Sequence, residues 1–118
     1  MATRQQVREV CSHLDDTRPV SPDSADSCRE CVALGDQWVH LRECQQCGHV
    51  GCCDSSKNKH ATAHHTATGH PMVRSFEPGE SWWFCYNDEV VFDLDGVGPV
   101  RADAAAHVLA IRARSKCT

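Results

Sequence analysis

Closely spaced cysteine and histidine residues constrain the fold of this chain more than any other feature. Its 118 residues include nine cysteines and eight histidines, which is far above average usage. Two Cys-x-x-Cys pairs, Cys28/Cys31 and Cys44/Cys47, are separated by 12 residues. This spacing lets a tight turn direct two thiolates at one tetrahedral ion. The pattern therefore predicts a small fold held together by zinc.

Disulfide bonds are the alternative use of so many cysteines. The number of cysteines is odd, histidines lie among them at spacings typical of metal ligands, and the N-terminal segment MATRQQVREV lacks the apolar run of a secretory signal. These features favour zinc in a reducing compartment, so we expect a soluble, cytoplasmic protein. No apolar stretch approaches the ~20 residues of a membrane span, and we expect no membrane partner.

More candidate zinc ligands follow the second Cys-x-x-Cys pair. They are Cys52 or the adjacent Cys53, and then His60, His64 and His70. His60 and His64 are four residues apart and share one face of a helix, as in zinc peptidases, but the Glu that peptidases need after the first His is Ala61 here. The pattern therefore favours zinc binding without a peptidase activity.

A third candidate site begins at the N-terminus. Cys11 and His13 have an i, i+2 spacing, which puts both side chains on one face of an extended segment. They need further ligands from elsewhere in the chain, and Cys85 with Asp88 is the obvious source. In the alternative interpretation, Cys11 and Cys85 are inert buried cysteines.

The chain as a whole predicts an α+β fold: a small, twisted antiparallel sheet with one or two helices, stapled by about three structural zinc ions. We expect a polar, partly helical lead-in and then an exposed loop over residues 15–27. The expected strands span residues 38–42, 72–76, 82–86 and 90–92, and the expected helices span about 57–67 and 101–114. We assign residues 1–95 to the zinc-binding domain and 96–118 to a C-terminal helical extension packed on it.

Three short runs carry a family resemblance: CGHVGC (47–52), HATAH (60–64) and TGHP (68–71). Their order and spacing resemble the UBP-type zinc finger, which accompanies many ubiquitin-specific proteases and a cytoplasmic histone deacetylase, here in a stand-alone form. The resemblance implies three interleaved sites: Cys28, Cys31, Cys52 and His60; Cys44, Cys47, His64 and His70; and Cys11, His13 and Cys85, with Asp88 where the family has cysteine.

The same resemblance selects Cys52 over Cys53, because the ligand cysteine of the family is followed by glycine and then arginine. Six residues are then left for solvated or packing roles: His40, His49, His65, His107, Cys53 and Cys117.

Family members with binding activity grip the free C-terminal Gly-Gly tail of ubiquitin with that arginine and with aromatic residues around the late cysteine. On a strand over 82–86, Trp82, Phe84 and Tyr86 share one face. Phe84 stands where the family typically has Trp, and Asp54 replaces the arginine, which reverses the charge expected to meet a carboxylate. Arg42 or Arg74 is an alternative source of positive charge. Each aromatic residue alone is equally well explained as part of the core.

We therefore expect a non-catalytic, zinc-binding protein-interaction module that recognises ubiquitin's tail or another peptide C-terminus. A nucleic-acid-binding role is disfavoured by the formal net charge of −4. A thiol or metal hydrolase is also disfavoured, because sites with four protein ligands leave zinc no open position, and the free thiols Cys53 and Cys117 lack an evident base.

Overall fold

A five-stranded antiparallel sheet forms the centre of the molecule. A computed structural model describes residues 1–101, and the sheet has the strand order β2-β1-β3-β4-β5. The strands are β1 (Leu41–Cys44), β2 (Val50–Cys52), β3 (Met72–Ser75), β4 (Trp83–Cys85) and β5 (Val90–Phe92). Three short α-helices surround it, namely α1 (Arg4–Arg8), α2 (Arg29–Leu34) and α3 (His60–Thr68), and a 3₁₀ helix spans Ser12–Asp16. The predicted α+β class is confirmed.

The sequence predicted the later strands better than the earlier elements. Strands β3, β4 and β5 lie where alternation predicts them, to within one residue at each end. The strand expected over 38–42 begins only at Leu41 and continues to Cys44. Strand β2 and helix α2 were not predicted, because three and six residues are too few to show a period. The helix expected over 101–114 falls almost wholly outside the described residues.

Helix α3 cannot be explained by its own apolar face. It has nine residues, and Ala61 is its one buried side chain. Isolated helices shorter than about 12 residues are marginal in water, so α3 depends on what its polar side chains bind. It ends at Gly69, whose φ of 78° lies in the left-handed region that glycine adopts without steric cost. Gly69 is the stop that the sequence predicts.

The hydrophobic core is divided into two small clusters, and each contains cysteines from the candidate zinc sites. One cluster joins the N-terminal segment to the β3–β5 side of the sheet and contains Val7, Cys11, Leu14, Met72, Trp83, Cys85 and Leu94. The other cluster lies near α2 and contains Cys28, Cys31, Leu41, Val50, Cys52 and Phe76. Cores of this size give limited stability, and the positions of the cysteines within them suit metal sites that reinforce the fold.

The loop expected over 15–27 is held against the body of the protein. Its first two residues end the 3₁₀ helix, and the Asp23 carboxylate accepts a 2.9 Å hydrogen bond from the Val50 amide. A Cβ at Gly48 would collide with the Ser21 carbonyl, so glycine is required where this loop crosses the turn before β2. Among residues 1–101, no helix has the length and apolar character needed to cross a membrane.

Candidate metal centres and the adjoining pocket

The fold gathers three sets of four side chains whose ligand atoms lie within 4.8 Å of one another. The sets are Cys28, Cys31, Cys52 and His60; Cys44, Cys47, His64 and His70; and Cys11, His13, Cys85 and Asp88. These are the three sets that the family resemblance implies. Tetrahedral zinc separates two sulfur ligands by about 3.8 Å, and a sulfur from a nitrogen by about 3.6 Å. These lengths test whether each set suits the ion.

The distances in the first set come within about 0.4 Å of these lengths. Sγ of Cys31 and Sγ of Cys52 are 3.8 Å apart. Nδ1 of His60 lies 3.2, 3.4 and 3.5 Å from the sulfurs of Cys28, Cys31 and Cys52. The His60 amide also donates to Sγ of Cys52 at 3.1 Å, and the side chain of Asn58 donates to Sγ of Cys31 at 3.5 Å. Such hydrogen bonds orient thiolate ligands and stabilise their charge.

The second set joins the end of β1 and the turn after it to the middle of α3 and to the segment that follows α3. Sγ of Cys44 lies 3.4 Å from Nδ1 of His70, and Sγ of Cys47 lies 3.3 Å from Nε2 of His64. The Gln46 amide donates to Sγ of Cys44 at 3.4 Å, as expected in a Cys-x-x-Cys turn. Burial, with smaller contributions from the neighbouring histidines, lowers the pKa of His64. This favours the neutral imidazole that binds metal.

The third set combines the N-terminal segment with the residues that follow β4. Nδ1 of His13 lies 4.0 Å from Sγ of Cys11 and 3.5 Å from Sγ of Cys85. Nδ1 of His13 is also 2.8 Å from Oδ2 of Asp88, whereas zinc would hold a nitrogen and an oxygen ligand about 3.3 Å apart. Zinc binding here therefore requires His13 and Asp88 to separate by about half an ångström, which an exposed carboxylate can do.

Three of the buried thiols in these sets, those of Cys11, Cys28 and Cys44, have pKa values that favour the protonated form unless a metal binds them. Burial raises the pKa of Cys11 and of Cys28 to about 12, and that of Cys44 to about 11. Thiolates are the form that binds zinc, so metal binding releases these protons. Three thiols with one histidine, and two thiols with two histidines, are donor sets of structural zinc sites.

Several of the remaining histidines and cysteines support these sets by packing. The His49 ring stacks on His64 with centroids 4.2 Å apart, and its Nε2 lies 2.7 Å from a carboxylate oxygen of Glu30. The His65 ring stacks in the same way on Tyr86 at 4.4 Å. Cys53 is only 3% exposed. Burial acts to raise the pKa of its thiol. Hydrogen bonds from Ser56 and from backbone amides have a larger effect in the opposite direction, so the pKa is lowered overall.

An aromatic pocket of about 240 Å³ adjoins the metal centres. The side chains that line it are Arg42, Cys53, Asp54, Val73, Trp82, Phe84, Tyr86 and Val91. The expected shared face is confirmed: Trp82, Phe84 and Tyr86 are half-buried and line this pocket, whereas Trp83 and Cys85 lie in the core. The Phe84 and Tyr86 rings meet edge to face with centroids 5.1 Å apart. The pocket thus presents aromatic surface to solvent.

The two charged side chains of the pocket have opposite signs. Cζ of Arg42 lies 4.5 Å from the centre of the Trp82 ring, which holds the guanidinium by a cation–π contact. Asp54 is exposed, and its carboxylate accepts a 2.5 Å hydrogen bond from the Thr62 hydroxyl of α3. That hydroxyl is also 3.2 Å from the Tyr86 hydroxyl. Asp54 is thus held at the rim by α3.

Arg74, the alternative source of positive charge, is on the opposite face of the sheet. It is buried, and its Cζ lies 4.5 Å from the centre of the Trp83 ring. Its Nη2 donates to the carbonyls of Ser81 and Gly98 at 2.9 and 2.7 Å. Arg74 therefore supplies no charge to the aromatic pocket, and Arg42 does.

Comparison with known proteins identifies a family and two proteins to which this chain is similar. The family described as a zinc finger in ubiquitin hydrolases and other proteins matches residues 28–95. Histone deacetylase 6 of Caenorhabditis elegans is 31% identical over 102 residues, which cover 83% of this chain and 10% of that protein. The solution structure of a protein from Rhodopseudomonas palustris is 50% identical, covers 75% of this chain and 86% of that one, and superimposes with a TM-score of 0.68. The chain thus spans about a tenth of the histone deacetylase.

Proposed function

The chain belongs to the family of zinc fingers found in ubiquitin hydrolases and other proteins, and from this membership we propose that it is a non-catalytic module that binds the free carboxyl terminus of a partner protein. The Gly-Gly tail of ubiquitin is the first candidate ligand. The aromatic pocket beside the zinc sites, with Arg42 in its wall, is the observation that carries this proposal.

We assign the zinc ligands to the three clustered sets, one ion to each. Four protein ligands close the coordination shell, so the ions hold the fold and do not activate water. A thiol mechanism is also disfavoured, because Cys53 is 3% exposed and its sulfur packs 3.6 Å from the Ser56 hydroxyl. These observations support a binding role. The need for reduced thiolates supports the proposal that the protein acts in the cytoplasm.

The dimensions of the pocket suit a thin peptide tail. Glycine residues have no side chains, so a Gly-Gly tail can enter between aromatic rings where other residues would clash. The rings of Trp82, Phe84 and Tyr86 would cover its backbone, and burial of their exposed surface contributes to the free energy of binding. The carboxylate at the end of such a tail needs a positively charged donor in the pocket.

Arg42 would supply that charge. Its guanidinium is half-buried, is held on Trp82 and lines the same pocket, so little side-chain entropy is lost when it binds an anion. Asp54 acts in the opposite direction, because its negative charge repels a carboxylate from the rim. We therefore propose that β1 provides the carboxylate donor that the family places two residues after the ligand cysteine.

Isothermal titration calorimetry with ubiquitin and with ubiquitin lacking its last two glycines tests the proposal. We expect binding of the first and loss of binding with the second. Arg42→Ala should weaken binding about tenfold or more, because it removes a charge-assisted hydrogen bond. Arg8→Ala is the matched control, since Arg8 lies on α1 in an exposed pair with Asp15.

The possible outcomes distinguish two questions: whether ubiquitin is the ligand, and whether the pocket recognises a free carboxyl terminus. Equal affinity for both forms of ubiquitin would refute recognition of the tail. If neither form binds, ubiquitin is not the ligand, and a library of peptides with free or amidated carboxyl termini tests the general proposal. Equal binding of the free and the amidated peptides would refute it.

A further inference from the structure

A cavity of about 400 Å³ lies on the face of the sheet opposite the aromatic pocket. A cross-strand row of side chains lines it: Glu43 on β1 is opposite Arg74 on β3, which is opposite Trp83 on β4. Two exposed arginines from the N-terminal part of the chain, Arg4 and Arg18, also line the cavity.

The three side chains of the row are buried and incompletely paired. Glu43, Trp83 and Arg74 are 2%, 5% and 6% exposed. Oε1 of Glu43 accepts a 2.9 Å hydrogen bond from Gln45, and Nη2 of Arg74 donates to two backbone carbonyls. Within residues 1–101, however, Oε2 of Glu43, Nε of Arg74 and Nε1 of Trp83 have no hydrogen-bond partner. Proteins pair nearly all buried polar atoms, so three unpaired atoms around one cavity indicate a further binding partner.

The kinds of atom involved define the chemistry of that partner. Nε of Arg74 and Nε1 of Trp83 are donors, and Oε2 of Glu43 is an acceptor. The lining contains three arginines and one glutamate, which favours an anion. An anion without a proton would leave Glu43 unpaired and would be repelled by it, whereas an O–H group on the anion would donate to Glu43.

We propose that this cavity binds a small oxyanion that keeps one O–H group, which is either a phosphate or a hydroxycarboxylate. The anionic oxygens accept from Arg74 and Trp83, Arg4 and Arg18 attract the anion to the opening, and the O–H group donates to Glu43. The site is on the other face of the sheet from the proposed tail-binding pocket, so either can be correct without the other.

The indole N–H of Trp83 provides a direct NMR probe of this site in the zinc-loaded full chain. The probes are inorganic phosphate, lactate and sulfate at equal ionic strength and neutral pH. Phosphate then keeps at least one proton and lactate has a hydroxyl, whereas sulfate has neither. We expect a saturable shift of the Trp83 indole signal with phosphate or lactate, and affinity for sulfate lower by about fivefold or more, because sulfate leaves Glu43 unpaired. The signal of Trp82, on the other face, should not move.

The two hydroxylated anions distinguish the source of the ligand. Tighter binding of phosphate indicates a phosphate ligand, and tighter binding of lactate indicates a hydroxy acid; both support the shared chemistry. If neither produces a saturable shift of Trp83, or if sulfate binds as tightly as the better of them, the proposal is wrong.

Two variants test the roles of individual residues. Arg18→Ala changes an exposed side chain and should weaken binding about twofold to fivefold, while Arg8→Ala should not. Glu43→Gln removes the repulsive charge and introduces an N–H donor, so sulfate and phosphate should then bind equally. Unchanged binding by Arg18→Ala, or a sulfate penalty that persists in Glu43→Gln, would overturn the proposal. If Glu43→Gln does not fold, the Arg18 variant and the comparison of anions in the native chain still decide it.

Discussion

Gly51 is a position where the addition of a single methyl group should cause a large loss of stability. It lies in β2, opposite Arg42 of β1, directly beneath the start of α3. A Cβ added there would lie 2.7 Å from the Ala61 amide nitrogen and 2.9 Å from the Ala61 Cα and the His60 carbonyl carbon. Ordinary van der Waals contact begins at 3.4 Å, so α3 would have to move by 0.5 to 0.7 Å.

We expect Gly51→Ala to lower the free energy of unfolding by about 2–3 kcal/mol, the upper part of the range for overpacking. The clash is with helix backbone, which cannot rotate away as a side chain can. The displaced helix carries His60 and His64, which belong to two different metal sites, so zinc should also be released faster. Gly98→Ala is the matched control, because a Cβ there meets no atom within 4 Å and should change stability by less than about 0.5 kcal/mol.

The measurement is guanidinium unfolding followed by far-UV circular dichroism at a fixed concentration of free zinc. Free zinc must be held constant because a metal that binds the folded state adds to the apparent stability. The rate at which zinc is released to a chromogenic chelator is a second measurement, independent of the unfolding curve. If Gly51→Ala unfolds at the same denaturant concentration as Gly98→Ala and releases zinc no faster, then α3 does not pack against β2 as described.

Three further predictions concern the metals and the pocket. Removal of zinc by a strong chelator should leave the chain largely unfolded by far-UV circular dichroism, since one structural zinc contributes on the order of 10 kcal/mol; an unchanged cooperative melt would refute this. Asp88→Ala should lower the zinc content from three ions to two by elemental analysis, while Asp88→Cys should keep three. Asp54→Asn should tighten the binding of a carboxylate tail about twofold to fivefold, and calorimetry at low and high salt should show the gain shrinking as salt screens the charge.

The metal sets were the part of the structure most open to prediction from the sequence. Cys-x-x-Cys spacing dictates a turn, and a turn places both sulfurs on one ion whatever the rest of the fold does. The resemblance supplied the pairing between distant ligands, such as Cys52 with His60, and the structure places those two side chains together. Spacing alone did not distinguish Cys52 from Cys53, because that choice depends on which face of β2 points towards α2.

The choice between Arg42 and Arg74 could not be made from the sequence for a similar reason. Alternation shows which side chains share a face within one strand, but relating two strands requires their register. The register pairs Arg42 with Ser75 and Arg74 with Glu43, so the two arginines lie on opposite faces. Each then stacks on one member of the adjacent pair Trp82 and Trp83. A shift of one residue between β1 and β3 would have placed both arginines on the same face.

Helix α3 connects the zinc ions to the pocket, although no zinc ligand lines the pocket. His60 and His64 tether the helix to two metal sites. Between and after them, Thr62 holds Asp54 at the rim and His65 stacks on Tyr86. The helix has too little apolar surface to keep this position by packing alone. The order of the pocket therefore depends on the metals, and any ligand that binds the ordered pocket must in turn stabilise the zinc-bound state, because the two equilibria are linked.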